Sequence, residues 1–394
     1  MCYPDRVNYL SPAFVALVAV SAAVYWAVPP RARSWVLLGV SLGFCFSQAP
    51  LFSALYLAFG LGAFALGRYL SSERPRTWRR GLLIAGLAVV IGDLIVWKAA
   101  LPAGAGDVAR ETSPGLADLV VPVGLSYLSF RLIHYLVERY RGGLDDRGLV
   151  DFLGWLFFFP VLLAGPLLRI GEWRVERPRL IEINRALLRV GVGVVKKAVI
   201  ADSLGVWLQP ALADPAGHSQ GMVLLAIYGV ALQLYLDFSG YSDVAIGLGR
   251  LFGVTVPENF DSPLTKPNIA EFWRSWHITL YTWIRDYVFF PLFGFRSSPW
   301  KMYLGAGLSI FIFQIWHAFS ANFILLGLFH GGGVIGWHLL QRAKRRWRWL
   351  RRLIDRRALR PAWIALTVSW YAVGNVLFMT TPRDFVAVLS RLIS

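Results

Sequence analysis

Charge is what this sequence is short of. Asp, Glu, Lys and Arg make up only 16% of its 394 residues, where a soluble chain carries about a quarter. The shortage excludes an ordinary water-facing surface and implies that most of the exterior meets lipid. Acid is scarcer than base, with 23 carboxylates against 40 Lys and Arg. Cysteine is nearly absent: Cys2 and Cys45 are the two present, and neither belongs to a CxxC pair. A disulfide framework and a cysteine metal knuckle are therefore excluded. The N-terminus lacks the basic region and small-residue cleavage site of a removable signal peptide, so the first apolar segment is expected to stay as a membrane helix.

Apolar residues fill the gap, at 56% of the chain with a mean hydropathy of +0.53. They fall in segments at 9–29, 35–48, 51–70, 81–99, 119–137, 150–168, 187–208, 221–252, 302–320, 321–341 and 361–380, with a short one at 384–393. Runs near 20 residues are what a bilayer crossing needs. The fold class expected is an all-α polytopic membrane protein of about 10–12 membrane segments, some broken, re-entrant or interfacial. Segment 150–168 is interrupted by Pro160, Gly165 and Pro166. A break of that kind is tolerated at membrane depth only where the freed backbone is buried in protein or lines a cavity.

The net charge of +17 collects between these segments, at Arg31 and Arg33, Arg74 to Arg80, Arg139 to Arg147, and most densely Arg342 to Arg360. That is the pattern of cytoplasmic loops under the positive-inside rule rather than of a nucleic-acid-binding face. It puts the N-terminus outside, together with the acidic stretch 100–118 that holds Asp107, Glu111 and Asp118. No internal repeat or inverted pair of broken helices of the transporter kind is present.

Chemistry concentrates in two places. Within 233–291, polar and aromatic residues interleave, and 268–290 has helical spacing that places Trp273, His277, Leu280 and Ile284 on one face. An amphipathic interfacial helix accounts for most of this. It leaves unexplained His277 on the aromatic face, and Asp237 and Asp243 in an otherwise apolar helix. The second place carries His317, His330 and His338; ionisable groups inside membrane segments point to function. Gln314, Ser320 and Asn322 give His317 polar company. His317 and His330 lie thirteen residues apart, so an unbroken helix turns them about 220° from each other. They share a cavity only if the chain breaks between them, and Ser320-Ala321-Asn322 is the expected place. No HxxxH or HExxH pairing supports a metal site, and no GxSxG elbow supports a serine hydrolase. What remains is histidine as general base toward a hydroxyl.

At these residues the sequence resembles the membrane-bound O-acyltransferase family, in the bacterial branch of alginate O-acetylases and D-alanyl-transfer proteins of teichoic-acid modification. The motifs are VPVGLSYLSFRLIHYLVERYRG at 121–142, FFFPVLLAGPLLR at 157–169, LDFSGYSDVAIGLGRLFG at 236–253, then ENFDSPLTKPNIAEFWRSWHITLYTWIRDYVFFPL and WHAFSANFILLGLFHG. The resemblance implies that His317 is the catalytic base and His277 its partner, with His330, Asn322, Gln314, Trp316, Trp276, Arg285 and Asp286 in support. Ala318 follows His317 where the family usually has glycine. The resemblance further implies a central tunnel, for which Pro160, Gly165, Pro166, Asp237, Ser239 and Tyr241 are lining candidates. The whole chain, 1–394, reads as one integral membrane domain: N-terminal helices at 1–118, an acyltransferase core at 119–341, and a basic cytoplasmic loop with a final helix at 342–394.

The implied reaction is acyl transfer to a hydroxyl across a bacterial cytoplasmic (inner) membrane. No bound cofactor or metal is expected. The co-substrate is a cytoplasmic thioester, either acetyl-CoA or an acyl- or aminoacyl-carrier protein. The acceptor is a surface polymer or a periplasmic or extracellular acyltransferase partner, and membrane lipids surround the chain. Three alternatives stay open: D-alanyl rather than acetyl transfer, a polytopic transporter without covalent chemistry, and a scaffold for a partner enzyme.

Overall fold

A computed structural model describes residues 11–71, 75–100, 124–176, 180–294 and 298–393. The acidic stretch 100–118 and the chain start, on which the predicted orientation leans, fall almost wholly outside them. The described chain is all-α, with no strand longer than the isolated bridges Val175↔Val254 and Phe260↔Trp276. The helices are α1 Pro12–Ala27, α2 Pro30–Gln48, α3 Pro50–Leu70, α4 Arg76–Ala100, α5 Leu125–Arg141, α6 Leu149–Phe157, α7 Leu180–Val194, α8 Asp202–Ala213, α9 Gln220–Leu251, α10 Ile269–Ser275, α11 Ile278–Ile284, α12 Phe290–Phe293, α13 Pro299–Ile315, α14 Ala321–Arg346, α15 Arg348–Ile354, α16 Arg360–Met379 and α17 Pro382–Arg391. Among the described residues, five stretches are long and apolar enough to cross a membrane: Pro50–Leu70, Arg76–Lys98, Gln220–Leu251, Ala321–Arg346 and Arg357–Met379. The chain is a multi-pass membrane protein. Proline opens several helices, at a position where its missing N–H costs nothing and its fixed φ is already helical. At α1 and α17 the side chains of Ser11 and Thr381 also cap the first turn.

The chain forms two compact units. The first runs to Val192 and takes in Ser242–Pro257. Within it, the broken segment is real: α6 stops at Phe157, a single 3₁₀ turn holds Phe159–Val161, and Gly165 adopts φ 87°. The freed carbonyls are collected by Arg131, which is fully buried on α5 and donates to Trp155 O, Leu156 O and Val161 O at 2.8–3.0 Å. Tyr127 Oη donates to Gly165 O at 2.9 Å. A guanidinium with five fixed donors suits this task, since a cluster of carbonyls left bare would each cost a lost hydrogen bond. Gly124, at φ 70°, lets the start of α5 approach Leu162, whose carbonyl would lie 2.7 Å from any Cβ there.

The second unit comprises Gly193–Tyr241 and Glu258–Ser394. Its first element is a π-helical stretch, Val195–Ala201. Lys197 there bridges Asp202 at 2.5 Å and Asp237 at 2.8 Å. Asp237 is thus ion-paired, and Asp243, on the part of α9 belonging to the first unit, is likewise paired with Arg189 at 3.0 Å. The two carboxylates that looked out of place in an apolar helix have cations waiting on the preceding amphipathic stretch.

The region 268–290 departs from the continuous helix expected. It forms α10 and α11 with Trp276 and His277 between them in extended and left-handed conformations, then a π-helical turn over Arg285–Phe289. His277 therefore shares no helical face with Trp273 and Leu280. The residues are also buried within the protein, Phe272 fully and Trp273, Trp276 and Leu280 nearly so. The reason is tertiary: the segment before α10 lies along the break and supplies its hydrogen bonds. Asp261 N donates to Ser275 O at 3.0 Å and Ile278 N to Asn259 O at 2.9 Å.

Candidate active site

His277 sits at the break between α10 and α11 with φ 45° and ψ 54°, a left-handed conformation rare outside glycine and turn residues. Such strain persists only when the surroundings over-determine it. Here Asn259 does so. Its Oδ1 accepts from His277 Nδ1 at 2.9 Å and from Thr279 Oγ1 at 2.8 Å, and its backbone oxygen holds Ile278 N. Thr279 N, a backbone donor that cannot accept, reaches the same oxygen at 3.4 Å and fixes which way the amide faces. His277 therefore carries its proton on Nδ1, and Nε2 presents a lone pair. The ring packs edge-on to Phe238 at 4.7 Å and Phe313 at 5.8 Å, and burial pulls its pKa down to about 3. It is a neutral imidazole across the physiological range. Asn259 lies within the ENFDSP motif, but nothing in that motif signals its contact with His277, which only the fold creates.

His317 follows the end of α13. The helix closes with Trp316 N and His317 N turning back onto the last carbonyls, that of Gln314 included, and Trp316 to Ser320 form the connection to α14. The chain does break between His317 and His330, within a few residues of the predicted place. Gln314 is buried, and His317 is only partly so. Its ring lies among Trp316 at 4.4 Å, Phe323 at 5.6 Å and Phe378 at 5.1 Å. Asn322 accepts from Ser320 Oγ and donates to Leu377 O at 3.2 Å, tying the start of α14 to the end of α16.

The helical argument that turned His330 away from His317 lapses once the helix is broken. His330 is fully buried on α14, edge-on to Trp273 at 4.8 Å, and against Gly374 of α16, where a Cβ would lie 2.4 Å from its Nε2. Neither of its ring nitrogens has a hydrogen-bond partner, and neither does Trp273 Nε1 nor Asn375 Nδ2. Phe313 joins the pieces, touching both Trp273 at 5.3 Å and His277 at 5.8 Å.

The remaining candidates scatter. Trp276 packs on Phe260, Phe272 and Tyr371. Arg285 and Asp286 pair with each other at 2.7 Å, which holds the guanidinium above its usual range. Pro160, Gly165 and Pro166 are buried in the first unit around the carbonyls that Arg131 gathers. In the second, Ser239 is buried with its hydroxyl unpartnered, and Asp237 is committed to Lys197. Of the other histidines, His134 accepts from Ile170 N at 3.2 Å, His338 stacks on Tyr303, and His218 contacts Asp214 O.

Comparison with known proteins agrees with these motifs. The sequence model of MBOAT, the membrane-bound O-acyltransferase family, matches residues 110–381. The chain is 34% identical over 376 residues to a protein named probable alginate O-acetylase from Azotobacter vinelandii, covering 92% of this chain and 72% of that one. It is 29% identical over 244 residues to a teichoic acid D-alanyltransferase of Streptococcus thermophilus, 57% of this chain and 59% of that one. It is 29% identical over 248 residues to a peptidoglycan O-acetyltransferase of Helicobacter pylori, 54% of this chain and 46% of the relative.

Proposed function

The chain belongs to the membrane-bound O-acyltransferase family, and from that premise we propose that it moves an acetyl-type acyl group from a cytoplasmic thioester to a hydroxyl of a cell-surface polysaccharide. The observation that supports this reading is the presence, in one unit, of a partly exposed histidine at one helix break and a buried histidine, its Nδ1 held by Asn259, at another. His317 is the base. It takes the proton of the acceptor hydroxyl as that oxygen attacks the thioester carbonyl; the new C–O bond forms and the carbonyl electrons move to oxygen. The intermediate collapses with cleavage of the C–S bond, and the imidazolium of His317 returns its proton to the departing thiolate.

His277 fits a role different from charge stabilisation. With Nδ1–H committed to Asn259 and burial opposing protonation, Nε2 accepts hydrogen bonds and does not donate them. It suits orienting a hydroxyl or an imidazole N–H, by holding a proton donor in line. Acetyl rather than another acyl group is favoured by the long match to the alginate O-acetylase. The donor is acetyl-CoA or an acylated carrier protein, reached from the basic side of the inner membrane, with the N-terminus outside as the loop charges indicate.

A second reading, D-alanyl transfer toward teichoic-acid-like polymers, is favoured by the match to the S. thermophilus protein. One experiment separates the two. Surface polymer from a deletion strain, and from the strain complemented with the wild-type gene, is analysed by mass spectrometry for esters released in mild base. Acetyl esters that vanish on deletion and return on complementation support the proposal. Alanyl esters in their place move it to the second reading, and no ester change removes both.

A further inference from the structure

The densest positive charge in the chain lies outside the site described above, between the last two long membrane helices. From 342 to 360 there are ten Lys and Arg residues and a single carboxylate, Asp355. That carboxylate is already occupied by Lys344. The segment is folded rather than loose. α14 ends at Arg346, α15 is a short helix with Trp349 and Leu353 exposed, a 3₁₀ turn holds Arg357–Leu359, and α16 begins at Arg360. Two contacts lock this elbow: Lys344 to Asp355, and Trp363 Nε1 donating to Ile354 O at 3.0 Å.

Inside the elbow is a groove of about 390 Å³ lined by Leu353, Ile354, Leu359, Ala362, Trp363 and Leu366. Every lining side chain is apolar or, for Trp363, has its N–H already bonded. The groove lies at the first turns of the Arg357–Met379 stretch, one end of a helix long and apolar enough to cross a membrane. Arg352, Arg356, Arg357 and Arg360 bracket it in sequence. An apolar slot flanked in sequence by arginines, at the end of a helix apolar enough to cross a membrane, offers the two kinds of contact that the two ends of one amphiphile need. Arginine is the cation that holds phosphate oxygens through paired N–H groups. Trp347 and Trp349, both exposed, are the residues that anchor a protein at the headgroup level.

We propose that this elbow is a binding site for one anionic phospholipid, with an acyl chain in the groove and the phosphate held by Arg356, Arg357 and Arg360. An acidic soluble protein would also meet the charge, but would leave the apolar groove unfilled. The site needs no part of the catalytic reading, and it stands or falls separately.

The test uses the full chain purified in detergent, with phosphatidylglycerol or phosphatidylcholine added at equal concentration. A ligand that binds the folded but not the unfolded state raises the melting temperature, and does so further as its concentration exceeds its Kd. Phosphatidylglycerol is expected to raise it by several degrees and to be retained as a single adduct in native mass spectrometry, while phosphatidylcholine does neither. Ala362→Trp, which fills the groove, and the combined Arg356→Ala, Arg357→Ala, Arg360→Ala variant are each expected to abolish the shift and the adduct. Should the triple variant fail to fold, Ala362→Trp decides alone, because it changes the groove and leaves the charge. Equal shifts with both lipids, or a phosphatidylglycerol adduct that survives Ala362→Trp, overturns the proposal. So does binding of an acidic carrier protein to the elbow in the absence of any lipid preference.

Discussion

His317 and His330 stand against the same face of α16, one helical turn apart. The His317 ring meets Phe378 at 5.1 Å, and His330 Nε2 abuts Gly374. Four residues of helix separate those contacts, a rise of about 6 Å. The absence of a side chain at 374 is what admits the His330 ring. Gly374→Ala puts a methyl where the imidazole stands, and Phe329 at 3.2 Å blocks the other side. The expected cost is about 1–3 kcal/mol of overpacking. A lowered melting temperature together with reduced ester formation in cells is the predicted pair of readings. An unchanged melting temperature would show that His330 moves aside freely.

His317→Ala is expected to lower acyl transfer by about 10²–10⁴-fold, the usual loss for a general base. The side chain is partly exposed at a chain turn, so abundance in the membrane should be normal. Ester content measured at matched protein levels checks this, and near-normal transfer by the variant rules out His317 as the base.

Asn259 carries the geometry of His277. Asn259→Leu leaves His277 Nδ1 and Thr279 Oγ1 without their acceptor in a buried place. An unsatisfied buried donor costs about 1–3 kcal/mol. The variant is expected to lose stability and also to lose the fixed tautomer, so transfer should fall further than the melting temperature alone explains. Asn259→Asp, which restores an acceptor, should recover the stability and leave a different pH profile for transfer.

The depressed pKa of His277 makes a prediction about acid. In the unfolded chain this group titrates near 6.5, and in the folded one near 3. Between those values the unfolded state binds the extra proton, so stability rises with pH through the window and is complete above about 6.5. Acidification below 6.5 should remove on the order of 1 kcal/mol per pH unit from this group until the folded pKa is reached. Comparing the pH dependence of unfolding for wild type and His277→Gln isolates the contribution. Parallel curves across pH 4–6.5 would mean that His277 titrates normally.

Arg131→Met tests the broken segment. The substitution keeps the volume but frees three buried carbonyls. A loss of about 3–5 kcal/mol is expected, by analogy with breaking other buried charged networks, and it should appear as poor accumulation in the membrane. Normal accumulation would show that the carbonyls find other donors.

Much of this protein could be read from its residues. Scarce charge and long apolar runs fixed a membrane-embedded all-α chain, because a bilayer accepts backbone only when its hydrogen bonds close within the segment. The helix limits fell close to the predicted apolar segments, and the break at Pro160 to Pro166 was visible as prolines and glycine inside an apolar run. The histidines and their family resemblance were likewise legible.

What the sequence could not decide was conformation set by distant partners. Helical spacing over 268–290 is genuine, yet the chain leaves the helix at Trp276 and His277 because Asn259 and Asp261, outside that window, offer better-placed hydrogen bonds. The angle of about 220° between His317 and His330 holds only for an unbroken helix, and a five-residue turn from Trp316 to Ser320 resets it. Local periodicity reports which residues would share a face if the backbone stayed regular. Only packing and long-range hydrogen bonds settle whether it does, and at this site they settled it against the helix.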